Sequence, residues 1–184
     1  GIIYTKLKKY PEAVQAFDRA SDMSRDVEAL SAQGKALFKS GETSRALAVY
    51  QKALILAPDD DELLFQTASL SMLSGNDRDA YDLYGRIDKN SRYTVQMLYN
   101  RAEAAIKIGE YPAAAGLLQT YLEYRPDDSA ARINLASALI KTGEYVRAAD
   151  FLSPLVASQY SARAAYNLAL ANYKLGKYEE SAYH

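Results

Sequence analysis

Three asparagines recur at intervals of 34 and 33 residues, and a glutamine stands 34 residues before the first of them. A side-chain amide offers one carbonyl acceptor and two N–H donors, so it can pair with both the N–H and the C=O of an extended peptide. Tyrosines directly precede two of the asparagines, and such rings often pack on apolar side chains at interfaces. These residues favour non-covalent binding of a polypeptide. The candidate binding residues are Asn100, Asn134, Asn167, Gln66, Tyr99 and Tyr166.

The side chains that most enzymes and metal sites use are almost missing from this chain. It has no cysteine, and its single histidine is His184. This composition excludes thiolate chemistry, disulfides, multi-histidine metal sites and an internal serine–histidine–acid arrangement. The acidic clusters around Asp60 and Asp128 lack the alternating acids, turn glycine and distant glutamate of a calcium-binding loop. We therefore predict no enzymatic activity, no cofactor and no metal.

The overall charge and hydropathy narrow the class of partner. A formal net charge of −1 over 184 residues gives no general attraction to phosphate backbones or anionic lipid, so we predict no nucleic-acid partner. No stretch approaches the length of unbroken apolar sequence that a membrane helix needs. We expect a soluble chain without membrane insertion. The sequence does not indicate a cellular compartment.

A fixed interval also governs the glycines and alanines. The phrase "IKIGEYPAAAGLL" begins at Ile106, and "IKTGEYVRAADFL" begins 34 residues later at Ile140. Glycines share this period at Gly41, Gly75, Gly109 and Gly143. Alanines follow each of them by five residues at Ala46, Ala80, Ala114 and Ala148. Such a period indicates one structural unit that is repeated along the chain.

A 34-residue period with small residues at fixed places resembles the tetratricopeptide repeat. The resemblance implies an all-α fold: an α-solenoid of antiparallel helix pairs, wound as a right-handed superhelix. The clearest unit spans residues 27–60, with Gly34 where two helices pack closely, Gly41 at the turn, Tyr50 on the second helix and Pro58 after it. Asp60 and Asp128 are predicted to cap the helices that follow them.

The resemblance covers the whole chain and predicts its organisation. We expect a single solenoid over residues 1–184. It comprises a partial repeat 1–26, full repeats 27–60, 61–94, 95–128 and 129–161, and a partial repeat 162–184. Repeat 61–94 matches the family least well. It has Ser71 and Asp77 where the family usually has larger residues, Gly85 inside its predicted second helix, and Arg92 in place of the proline.

The resemblance also implies where a partner would bind. In this family the first helix of each pair lines a concave groove, and the asparagines occupy the sixth place of that helix in three consecutive repeats. Packed helices lie about 10 Å apart and an extended peptide rises about 3.3 Å per residue, so one amide would serve roughly three peptide residues. A similar asparagine ladder lines the repeats of the O-linked N-acetylglucosamine transferase. The alternative is that asparagine is common at this place and bonds within the helix pair.

Three functions remain open from the sequence. The first is a non-catalytic protein-interaction scaffold that binds an extended peptide segment of a partner in its groove. The second is the substrate-recruiting region of a larger enzyme, which the full-length gene would reveal. The third is an assembly protein that self-associates through uncapped repeat ends, where Ile2, Ile3 and Tyr4 expose apolar surface. A strict monomer in sedimentation would contradict this third hypothesis.

Overall fold

The computed structural model describes residues 1–20, 26–158 and 161–176, and the regular structure in these ranges is entirely α-helical. The prediction of an all-α fold is confirmed. The helices are α1 (Ile2–Lys6), α2 (Tyr10–Asp18), α3 (Val27–Lys39), α4 (Thr43–Leu56), α5 (Asp61–Leu73), α6 (Asp77–Tyr84), α7 (Thr94–Lys107), α8 (Tyr111–Tyr124), α9 (Ser129–Thr142), α10 (Tyr145–Ser158) and α11 (Ala162–Lys174).

The chain divides into two compact units, Gly1–Met97 and Leu98–His184. In the first unit α3 packs against α4 and α5 against α6, and in the second α9 packs against α8 and α10. Alternate helices also touch, since α1 contacts α3 and α9 contacts α11. The repeat boundaries and the single solenoid over residues 1–184 stay predictions.

Aspartates begin the helices that follow two of the turns. An Asp60 side-chain oxygen accepts a hydrogen bond from the Leu63 N–H at 2.9 Å, and an Asp128 oxygen accepts one from the Ala131 N–H at 3.0 Å. Each bond satisfies a backbone donor that the first helical turn leaves without an intrahelical partner. The predicted capping role of both residues is confirmed.

The predicted turn glycines adopt a conformation that other residues rarely take. Gly143 ends α9 with a φ of +85°, in the left-handed region, and its N–H bonds to the Ile140 carbonyl at 3.2 Å. A side chain at this φ would meet its own backbone, so glycine is the favoured residue. Positive φ values also occur at Gly41, Gly75, Gly109 and Gly176. The fixed glycine interval therefore reflects a fixed backbone conformation between helices.

Alanines and a few large side chains form the core of each unit. In the first unit, Gly34 of α3 lies directly against the buried ring of Tyr50 on α4, as the repeat pattern predicts. In the second unit the fully buried large side chains belong to α8, α9 and α10, namely Leu118, Leu135, Leu139 and Leu152. The predicted alanines Ala46, Ala80, Ala114 and Ala148 are also fully buried.

The second helix of predicted repeat 61–94 is shorter than expected. Helix α6 has 8 residues and ends at Tyr84, whereas α4 and α8 have 14 each. Gly85 is its C-terminal cap, so the prediction that it lies inside the helix is wrong. The following segment is bonded back to the preceding turn, because Arg86 donates to the Pro58 carbonyl at 2.6 Å and the Asp88 N–H to Asp61 at 3.0 Å. These bonds replace the last turns of the helix.

Candidate protein-binding face

The candidate residues lie on the first helices of the predicted pairs. Asn134 is on α9 and Asn167 on α11, and these two helices are in contact. Tyr99 and Asn100 lie on α7 within the second unit, whereas Gln66 lies on α5 of the first unit. We call the surface of α1, α3 and α5, and that of α7, α9 and α11, the first-helix face of each unit.

Asn134 is the centre of a polar cluster in the second unit. Its side-chain N–H donates to the Tyr99 hydroxyl at 3.3 Å, and Arg163 donates to its carbonyl oxygen at 2.8 Å. Asn134 is only 6% exposed, so these bonds offset the cost of burying its amide. They use one of its two N–H donors and one of the lone pairs on its oxygen. The structure thus joins residues of α7, α9 and α11 through one side chain.

Two tyrosines connect this cluster to the start of α9. The rings of Tyr99 and Tyr121 are tilted against each other with centroids 5.2 Å apart. The Tyr121 hydroxyl donates to Asp128 at 2.8 Å, and the same carboxylate caps α9. Burial, followed by the Glu103 and Asp128 carboxylates, raises the pKa of Tyr99. Burial and the hydrogen bond to Asp128 raise the pKa of Tyr121 to about 12.

The raised pKa of Tyr121 predicts a loss of stability at high pH. The ordinary tyrosine pKa is about 10, so the folded chain holds this proton more tightly than the unfolded chain. Its stabilising contribution is complete below about pH 10 and disappears as the pH rises through about 12. We expect Asp128→Asn, which preserves a capping oxygen, to lower the Tyr121 pKa towards 10. NMR titration of ¹³C-labelled tyrosine measures it.

The matched control for this titration is Asp127→Asn. Asp127 is an exposed acid next to Asp128, and the hydrogen bond from Tyr121 goes to Asp128. A Tyr121→Phe variant assigns the resonance. An equal fall in the Tyr121 pKa in both aspartate variants would show that general charge, and not this bond, raises the pKa.

The remaining candidates of the second unit differ in accessibility. Asn167 is 8% exposed, and Asn100 is partly buried. The Tyr166 side chain is 68% exposed, so its ring is available to a partner. The structure therefore places two of the asparagines close to the core of their helices and one aromatic ring in solvent.

In the first unit, the first-helix face contains a cavity of about 500 Å³ between α1, α3 and α5. Four of its lining residues occupy the second, fifth, sixth and ninth places of α3: Glu28, Ser31, Ala32 and Lys35. Gln66 is partly buried and does not line this cavity. The ring of its neighbour Phe65 stacks on that of Tyr93 at 4.8 Å and therefore packs within the unit.

Family models of the tetratricopeptide repeat match this chain at residues 1–61 and 105–173, which together are well over half of it. The chain belongs to the tetratricopeptide repeat family. This result agrees with the helix pairs and turn glycines described above.

Individual proteins of known sequence or structure are also similar to this tetratricopeptide repeat chain. The "DnaJ homolog subfamily C member 7 homolog" of Schizosaccharomyces pombe is 33% identical, and the match covers 50% of this chain but only 24% of that protein. The crystal structure of MamA protein superposes with a TM-score of 0.75 at 21% identity, covering 85% of this chain and 86% of MamA. YrrB, described as a tetratricopeptide repeat protein with an unusual peptide-binding site, has a TM-score of 0.77 at 19% identity, covering 92% and 86%. At these identities the two structures show a common fold.

Sequence reasoning missed one member of the polar cluster. Arg163 occupies the second place of its repeat, one of the places that the family turns towards the groove, and only its bond to Asn134 reveals its role. Apolar side chains of α1 are exposed at Ile3, Tyr4 and Leu7, but self-association stays a prediction. Within the described residues, no helix is both long and apolar enough to cross a membrane.

Proposed function

We propose that this tetratricopeptide repeat chain is a non-catalytic interaction module that binds an extended segment of a partner protein on its first-helix face. The cavity of about 500 Å³ between α1, α3 and α5 carries the proposal. Its volume lies within the range of about 300 to 1,000 Å³ that is usual for ligand pockets. Ser31, Ala32 and Lys35 contribute small, polar and charged surface, which suits a peptide better than a purely apolar ligand.

In the second unit we propose that Asn100, Asn134 and Asn167 bond to the backbone of the partner segment, and that Tyr99 and Tyr166 pack on its side chains. After its bonds to Tyr99 and Arg163, the Asn134 amide keeps one N–H and one lone pair. The exposed ring of Tyr166 supports an aromatic contact. We assign Gln66 the same backbone-bonding role in the first unit.

Two features of the comparisons bear on this proposal. YrrB, which has a similar fold, is described as having a peptide-binding site, and this supports a peptide as the class of ligand. The chain spans about a quarter of the length of the curated relative that it matches. The alternative that it recruits substrates for a larger enzyme therefore stays a proposal, which the full-length gene sequence decides. A lone histidine at His184 and the absence of cysteine support a non-catalytic role for this chain itself.

Affinity capture from a lysate of the source organism tests the proposal. The native chain is compared with an Asn100→Ala, Asn134→Ala, Asn167→Ala variant and with Ser31→Trp, which fills the cavity of the first unit. Each lost hydrogen bond weakens binding by about 0.5 to 1.5 kcal/mol. We therefore expect the triple variant to lower the affinity for the captured partner by about tenfold to a thousandfold.

The matched control replaces asparagines that lie away from the first-helix face. Asn76, at the start of α6, and Asn90, in the segment after it, are both exposed, and Asn76→Ala with Asn90→Ala should leave capture unchanged. Circular dichroism verifies that all variants are equally folded. If every captured protein binds the native chain, the triple variant and Ser31→Trp equally well, the first-helix face is not the binding surface.

A further inference from the structure

The first unit has a second cavity, on the side of the second helices. It has a volume of about 480 Å³ and lies between α4 and α6, with α5 beneath it. Leu54, Ile55 and Leu83 provide apolar walls, and Asp79 and Asp82 lie along its α6 edge. We call this cavity the α4–α6 notch. None of its lining residues belongs to the first-helix face proposed above, apart from two buried side chains of α5.

The unusual residues of repeat 61–94 account for the notch. Ser71, which stands where the family usually has a larger side chain, lines it from α5 and leaves space between the two second helices. Helix α6 ends at Tyr84, and Gly85 contributes no side chain to fill the gap. Departures that weaken the match to the family thus coincide at one place in the structure.

The notch has a fixed wall. Arg86, which lines it, donates a hydrogen bond of 2.6 Å to the carbonyl of Pro58, another lining residue. The Asp88 N–H is bonded to Asp61 at 3.0 Å, so the segment after α6 is anchored on both sides of the turn. A preformed cavity binds a partner with a smaller loss of conformational entropy than one that must first be ordered.

Apolar surface and negative charge are exposed together here. Ile55 is 79% exposed, although it lies in a helix of the unit that otherwise contributes to the core. Asp79 and Asp82 are also exposed, and they share one face of α6 because they are three residues apart. Within the residues that the structure describes, neither carboxylate forms an ion pair. The positive charge of Arg86 is bonded to the Pro58 carbonyl.

We propose that the α4–α6 notch is a docking site for a basic protein segment that inserts an apolar side chain between Leu54, Ile55 and Leu83. Lysine or arginine residues next to the inserted side chain would pair with Asp79 and Asp82. The charge complementarity identifies the partner as basic, and the exposed isoleucine requires an apolar group to cover it. This surface is separate from the first-helix face, so the two proposals succeed or fail independently.

Two short synthetic peptides serve as probes. They have leucine at the same positions, and one carries lysine and the other glutamate at all remaining positions. Each is titrated into the ¹⁵N-labelled full chain while amide chemical shifts are recorded. We expect the lysine peptide to shift the resonances of Leu54, Ile55 and Leu83, and the glutamate peptide to leave them in place.

A pair of matched variants locates the binding. Ile55→Ala with Asp82→Asn should weaken the lysine peptide about tenfold, because an apolar contact and a charge pair are both lost. The control, Val146→Ala with Asp150→Asn, removes an exposed apolar residue and an exposed acid from α10 and should change nothing. The proposal is overturned if the lysine peptide fails to bind at millimolar concentration, shifts other residues, or binds both variants equally. Equal binding of the glutamate peptide at the notch also overturns it.

Discussion

Replacing Tyr84 with alanine is expected to lower the free energy of unfolding by about 3 to 5 kcal/mol, the usual cost of removing a large aromatic side chain from a core. Tyr84 is the largest fully buried side chain in the described part of the chain. Its ring meets that of Phe65 edge-on at 5.6 Å, and its hydroxyl is 2.9 Å from the Ser69 hydroxyl. The substitution removes the ring contacts, leaves a cavity and takes away the hydroxyl partner.

Urea unfolding followed by circular dichroism measures this loss, and two further variants divide it into parts. Tyr84→Phe retains the ring and removes only the hydroxyl, so we expect a loss of about 0.5 to 1.5 kcal/mol. Tyr124 is 55% exposed at the end of α8, and Tyr124→Ala should change stability by no more than about 0.5 kcal/mol. A cost below about 1 kcal/mol for Tyr84→Ala would show that the first unit refills the space.

The second large effect is expected at Gly34. A Cβ atom at this position would lie 2.7 Å from a ring carbon of Tyr50, closer than van der Waals contact allows. The Tyr50 ring is itself buried, so it cannot move aside without disturbing the α3–α4 contact. Overpacking a core costs about 1 to 3 kcal/mol or more, while leucine gains somewhat less than 1 kcal/mol of helix propensity over glycine. We expect Gly34→Leu to destabilise the chain by roughly 2 kcal/mol.

Gly116 offers a matched comparison, because it is also a glycine within a helix. It lies in α8, and nothing occupies the space within 4 Å of a Cβ atom built there. Gly116→Leu should therefore stabilise the chain by about 0.5 to 1 kcal/mol through helix propensity alone. Parallel urea unfolding of both variants gives the comparison. Effects of the same sign would mean that the contact with Tyr50 does not determine the outcome at Gly34.

The features that the sequence predicted best depend on a few neighbouring residues. Gly143 takes a left-handed turn, and Asp128 caps the next helix three residues ahead of its bonded N–H. Both follow from local backbone chemistry that recurs in each repeat. The 34-residue interval then predicts the helix pairs, because each turn must return at the same place.

Other features depend on contacts between repeats, and sequence patterns do not contain them. The end of α6 at Tyr84 is accompanied by bonds from Arg86 and Asp88 to residues 28 and 27 positions earlier. The period predicted which helices carry Asn134, but its bonds to Tyr99 and Arg163 depend on the distances between α7, α9 and α11. Its low exposure was therefore not predictable from spacing alone.

Asp128 performs two tasks with one carboxylate, since it caps α9 and accepts the hydroxyl proton of Tyr121 from α8. This arrangement matters for protein engineering by repeat exchange. A designer who moves α9 into another repeat array must take Tyr121 along with its capping aspartate, or the donor helix arrives with half of its clasp. The natural cutting points for such modules therefore fall before α8, and the junction between α8 and α9 should be transplanted whole.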